Sequence, residues 1–184
     1  MPRPSPALLC AFRSAVFLLI ACGLTFPASS AWAQSESQPT LLQQYGDWGV
    51  YTGTNSGNKV CFALSQPSSS ETNPPNRPRG QIYLFVSTRP ADNVRNEVSV
   101  IIGYPFRTDS DATAEVGTTK FILQTQGDNA WVKNSGEEAQ LVDAMRRGAD
   151  LVVSGVSGRG TTTTDRYSLA GISAALDRVR QECP

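Results

Sequence analysis

From Val98 to Tyr104 the chain reads VSVIIGY, with Val98, Val100, Ile102 and Tyr104 at every second position and Ser99, Ile101 and Gly103 between them. A repeat of two puts the first set on one face of an extended strand, whereas on a helix it would scatter around the axis. Charged and polar residues lead into it (Arg89, Asp92, Arg95, Asn96, Glu97), and Pro105, which has no backbone N–H, ends the pairing. Residues 89–106 are therefore predicted to hold a central strand. The rest of the chain has to build a sheet around it.

Most of the remaining segments repeat that period. Tyr45–Tyr51 alternates aromatic and small residues, and Lys59–Gln66 puts Val60, Phe62 and Leu64 on one face with Cys61, Ala63 and Ser65 on the other. Gln81–Thr88 is apolar on both faces, which predicts a strand covered on both sides. Further strands are expected at Thr113–Val116, around Phe121–Leu123, at Ala130–Lys133, Asp150–Val156 and Thr161–Tyr167. Gly127-Asp128-Asn129 and Ser157–Gly160 read as turns. Residues 34–44 are polar and read as a loose lead. Residues 67–80, with Pro67, Pro74, Pro75 and Pro78, read as an exposed loop, either a solvated connection or a recognition arm in polyproline form.

The period changes in two places. Ser135-Gly136-Glu137-Glu138 has the form of a capping box, and Leu141, Val142, Met145 and Ala149 then share a helical face. After Ser168, read as an N-cap, Leu169, Ile172, Leu176, Val179 and Cys183 recur at spacings of three and four, so Cys183 continues an inward stripe. The composition of elements predicts a mainly β, antiparallel β-sandwich of eight or nine strands with two α-helices. At 184 residues the length allows one domain, over 45–184.

Residues 1–33 are set apart. Arg3 and Arg13 precede a twelve-residue apolar run from Ala15 to Phe26, and Ala31-Trp32-Ala33 supplies small residues ahead of Gln34, the layout of a secretory signal peptide. A bilayer span takes about 20 residues, so the run is too short to cross. Leu19-Ile20-Ala21-Cys22 is a competing lipobox that would anchor the chain at Cys22. Cleavage after Ala33 leaves Cys61 and Cys183 as the two thiols of an exported chain, predicting one disulfide between a strand and the last helix. It also leaves 14 basic against 16 acidic side chains, a net charge of −2 with no basic field for nucleic acid. The expected location is periplasmic or secreted.

Gly46-Asp47-Trp48, Val60–Gln66, the strand Asn96–Phe106, Gly148–Val153 and Ser168-Leu169-Ala170-Gly171 leading into Ala174-Ala175-Leu176 resemble the invasion-associated locus B family, exported proteins of Gram-negative bacteria. The likeness covers most of residues 46–183. It implies a role in the contact of bacteria with host cells, including red-cell invasion, although the family also occurs in bacteria that invade nothing. The founding type carries a further cysteine soon after the Gly-Asp-Trp motif, where this chain has Tyr51 and Thr52, so the chain resembles a divergent branch.

Chemistry is bounded by one absence: the sequence has no histidine. That excludes Ser-His-Asp and Cys-His catalysis and histidine metal sites. Lys59, Lys120 and Lys133 are the only lysines, and no Ser-Lys dyad is expected from them. Asp109, Asp111 and Glu115 lie close in sequence but lack the EF-hand glycine and terminal glutamate, and read as a polar turn. Gly158-Arg159-Gly160 lacks a P-loop lysine. Neither a catalytic residue, a metal site nor a cofactor is expected. The expectation is a non-enzymatic exported protein that contacts an unidentified protein or envelope partner, with Arg89, Arg95, Asn96 and Arg159 as candidate partner-binding residues. The alternative is a periplasmic carrier of a small ligand or glycan.

Overall fold

The computed structural model describes residues 38–184. The expected signal peptide, the alternative anchor at Cys22 and the start of the polar lead lie outside the described residues.

Eleven strands form one antiparallel sheet. In chain order they are β1 (Thr40–Tyr45), β2 (Trp48–Asn55), β3 (Asn58–Ser65), β4 (Ser69–Asn73), β5 (Tyr83–Arg89), β6 (Val94–Ile101), β7 (Ala112–Val116), β8 (Thr119–Gln126), β9 (Asn129–Val132), β10 (Asp150–Val156) and β11 (Thr162–Ser168). Helix α1 (Ser135–Arg147) lies between β9 and β10, and α2 (Ile172–Glu182) follows β11. Across the sheet the order is β1-β2-β3-β5-β6-β9-β8-β7-β10-β11-β4.

The sheet curls back on itself. The Asp47 N–H donates to the Ala170 carbonyl at 3.3 Å and the Trp48 Nε1–H to the Ser168 carbonyl at 3.0 Å, so the start of β2 meets the end of β11, eight places along the order. One core fills the enclosed side, with Val50, Ala63, Leu84, Val86, Val98, Val100, Leu123, Leu151 and Val153 facing inward from the strands. Helix α2 covers β1, β2, β3 and β5, while α1 covers β6 to β9. Val98, Val100 and Ile102 are buried, as the alternation requires, and Tyr104 beyond the strand's end packs against the core.

Several sequence expectations are corrected. The eight or nine strands are eleven, because two segments expected to be irregular pair. The 34–44 lead contains most of β1, an edge strand whose exposed positions give a weak apolar pattern. Within the proline-rich loop, Ser69–Asn73 becomes β4 and pairs with β11. The single strand expected over Tyr45–Tyr51 is broken at Gly46-Asp47. Gly46 adopts φ +56°, and a Cβ there would lie 2.5 Å from the Ala170 carbonyl oxygen, so a glycine makes both the turn and the close approach. The central strand stops at Ile101, short of Tyr104. Gly103 then turns at φ +78° to accept the Gly80 N–H at 2.8 Å.

The helix starts also differ. Asn134 caps α1 by accepting the Glu137 N–H at 2.8 Å, and the Glu138 carboxylate reaches out to the Val98 N–H at 2.9 Å instead of closing a capping box. Gly171 precedes α2; the Ser168 hydroxyl accepts from the Ala170 N–H, one turn too early to cap it.

Candidate functional site

Cys61 on β3 and Cys183 after α2 form a disulfide with Cα atoms 6.0 Å apart. Small residues Ala63 and Ala175 let α2 approach β3 closely enough for that span. The bridge fixes the end of α2 over the strand, and beside it lies a partly open recess of about 80 Å³. Thr88, Arg95, Asn96, Arg146, Leu176, Arg180 and Cys183 line it.

Two of the four candidate partner-binding residues, Arg95 and Asn96, thus come together in that recess, joined by Arg146 of α1 and Arg180 of α2. Arg146 donates to the Ser173 carbonyl and to the Asp177 carboxylate, both at 3.2 Å, and Arg180 reaches the same Asp177 oxygen at 3.4 Å. Arg95 is exposed and has no hydrogen-bond or ion-pair partner among the described residues. Arg89 is committed elsewhere: both its terminal nitrogens bind the Glu97 carboxylate, at 2.8 and 3.0 Å, and Nε binds Asp92 at 3.2 Å. The hydrogen bonds that Arg89 donates to Glu97 raise its pKa above its ordinary value. Arg159 is exposed on the β10–β11 turn and does not line the recess. Sequence reasoning missed Arg146 and Arg180 because each reads as an ordinary basic residue near a helix C-terminus.

The outer face of the sheet is the second distinctive surface. Tyr51, Phe62, Phe85 and Tyr83 form an unbroken chain of ring contacts across β2, β3 and β5, with centroids 5.4, 5.7 and 5.9 Å apart. Cross-strand register continues that face through Phe85↔Ser99 and Ser99↔Trp131. Each ring is partly exposed, because both helices pack on the opposite face. The chain expected to be covered on both faces at Gln81–Thr88 is covered by α2 on one face only. On the other, Tyr83 and Phe85 shield one another. Beyond them a cleft of about 470 Å³ is lined by Glu97, Ser99, Gln126, Gly127, Asn129 and Trp131.

A third cluster holds the fold together. Arg79 binds Asp165 at two points, 2.6 and 2.7 Å, the Ile102 carbonyl at 2.7 Å and the Ser70 hydroxyl at 2.8 Å. Its guanidinium lies 5.2 Å from the centre of the Tyr104 ring, whose hydroxyl is 2.6 Å from that of Thr163. Nearby, the buried Tyr167 hydroxyl has no partner among the described residues; burial first, and Asp165 second, drive its pKa far up, so it stays a neutral phenol. Every donor direction of Arg79 is used internally, which leaves it none for a ligand.

Asp109, Asp111 and Glu115 do not converge: Glu115 pairs with Lys120 at 3.3 Å, and no group of three metal-binding side chains occurs among the described residues. No helix among the described residues is long and apolar enough to cross a membrane.

Fold and site together define a disulfide-bridged, mainly β protein, a curled antiparallel sheet in the manner of a β-sandwich with two helices against its inner face. Residues 48–180 match the family described as Invasion associated locus B (IalB) protein, and the chain belongs to that family. The crystal structure of invasion associated protein b from Bartonella henselae is similar, with a TM-score of 0.53 and 19% sequence identity over 79% of this chain and 96% of that one, a likeness of fold. No curated protein sequence matches the chain.

Proposed function

We propose that this is an exported, non-enzymatic protein of the cell envelope that works by surface contact with another macromolecule. The observation that carries the reading is the outer aromatic face. Tyr51, Phe62, Phe85, Tyr83 and Trp131 stay partly exposed on a sheet surface, where aromatic side chains supply most of the contact energy of protein interfaces. The name of the Bartonella henselae relative, invasion associated protein b, supports extending the proposal to contacts with a host cell. A chain without histidine supports the non-enzymatic part.

Photo-crosslinking in the intact envelope tests it. A photoreactive residue at Ser99, in the middle of the face, is expected to give a discrete adduct, and one at Asp143, on the solvent side of α1, is not. Equal labelling at both positions, or none at either, overturns the proposal.

The cleft beside Trp131 favours a second reading, a glycan-binding carrier: a tryptophan next to Glu97, Ser99, Gln126 and Asn129 offers a stacking wall with planar hydrogen-bonding groups. A glycan that raises the melting temperature of the wild type but not of Trp131→Ala would favour it over the protein-contact reading.

A further inference from the structure

We infer that the recess between β6, α1 and α2 is a binding site for a phosphate monoester group, held by Arg95, Arg146 and Arg180. This goes beyond the contact reading, since it lies on the helix side of the sheet and shares none of the aromatic residues.

Local backbone geometry points to a built site. Arg95 and Asn96 are consecutive, and on a regular strand consecutive side chains face opposite ways. Here both line the same recess. The register of β5 against β6 slips between Ser87 and Arg89, and Asn96 takes the left-handed conformation, φ +56°, with its N–H directed to the Thr88 hydroxyl at 3.4 Å. Bulges of this kind re-aim a side chain, and asparagine tolerates the left-handed region better than most residues. The irregularity turns Arg95 toward the two helices.

Charge makes the second argument. Three arginines line the recess, its lining includes no carboxylate, and the adjoining Asp177 is shared by Arg146 and Arg180. That leaves an excess of two positive charges in a chain whose mature part is acidic overall. Phosphate monoesters carry about −1.5 to −2 at pH 7, which matches the excess, and their oxygens accept the forked N–H pairs of arginine. Size agrees as well: a volume of about 80 Å³ is roughly that of two or three waters, enough for one oxyanion group and not for a whole sugar or nucleotide. The rest of the ligand therefore projects into solvent. The disulfide and the core residue Leu176 form the rigid wall against which the group seats.

A free ester and the headgroup of a lipid both present this group, and the experiment separates them. The folded, disulfide-intact protein is titrated with inorganic phosphate, and with acetate for comparison, while the arginine Nε–H resonances are followed by NMR. In parallel it is sedimented with phosphatidylcholine vesicles, with and without phosphatidic acid. Saturable shifts at Arg95 and Arg146 are expected with phosphate, with acetate weaker by about tenfold or more. Arg95→Ala should weaken binding by about tenfold and Arg95→Lys by less, while Arg159→Ala leaves it unchanged. Sedimentation that needs both phosphatidic acid and Arg95 assigns the group to a lipid; phosphate binding without sedimentation assigns it to a soluble ester. Arg95 is exposed and unpaired, so its substitution leaves the fold intact, which an unchanged melting temperature checks. If neither probe binds, or if Arg95→Ala binds both as the wild type does, the inference is wrong.

Discussion

Arg79 and Asp165 form a two-point ion pair in the interior, Nη1 to Oδ1 at 2.6 Å and Nη2 to Oδ2 at 2.7 Å, and the Asp165 side chain has no exposed surface. The pair joins the segment after β4 to the middle of β11. Through the Ile102 carbonyl, it also reaches the end of the central strand.

Removing one partner of such a pair strands the other charge away from water. Arg79→Met is expected to cost about 3–5 kcal/mol, and the double change Arg79→Met with Asp165→Leu to recover much of that loss. Urea unfolding of the single and double variants gives the comparison. A single variant that loses less than about 1 kcal/mol would mean that the pair is solvated.

The Cys61–Cys183 bridge spans 122 positions in the sequence. On chain-entropy grounds a loop of that size contributes about 4–5 kcal/mol, and measured values are often lower. Cys61→Ala with Cys183→Ala should lower the unfolding free energy by an amount up to that figure. In native protein lacking residues 1–33, Cys61 and Cys183 should show almost no labelling as free thiols; ready labelling of both would contradict the bridge.

Glu138 supplies a pH test. Burial raises its pKa above the ordinary carboxylate range, and the Val98 N–H offsets this only in part. A raised folded pKa means that the neutral acid is favoured in the fold. Its contribution is fully present below the unfolded value of about 4.3 and is lost as pH rises through the higher folded value. Glu138→Gln keeps an acceptor for Val98 and removes the titration. The variant is therefore expected to gain in melting temperature relative to wild type between pH 4 and pH 7; a relative fall over that range would show that the fold favours the ionised carboxylate.

Substitutions on the two faces of the sheet should separate folding from contact. Ile102 is fully buried, and Ile102→Asp would place an unpaired carboxylate in the core, so no folded product is expected. Phe85→Ser removes partly exposed ring contacts worth about 0.5–1.5 kcal/mol each. That variant should keep its circular dichroism spectrum and its disulfide while losing the Ser99 cross-link. A folded Ile102→Asp would upset the assignment of the two faces.

What the sequence discloses here follows from where the periodic signal is strong. Val98 to Ile102 and the stripe Leu169 to Cys183 were legible because each buries one complete face, and the cysteine pairing followed from the two thiols left after the expected cleavage, with Cys183 on that stripe. The pairing of β4 with β11 was not, since Ser69–Asn73 is polar on both faces and its partner lies more than 80 residues away in sequence. Arg79 looked like one more charge among prolines, and Asp165 like a polar residue in a threonine-rich strand. Only the curl of the sheet brings them together. In the arginine recess, Arg95 and Asn96 could be singled out beside the central strand, whereas Arg146 and Arg180 acquire a shared purpose only when α1 and α2 converge.

The sheet has two margins, β1 at one end of the order and β4 at the other. Open margins invite strands from other molecules, and a long apolar one would let copies of the chain add end to end. The β4 margin is five residues long, reads SSETN, and is bracketed by Pro67 and Pro74, which have no N–H to offer. A growing fibre that reached this edge would find few bonds to make and a carboxylate, Glu71, in its path. The same loop that gives the sheet its final strand thus limits recruitment of another at that edge.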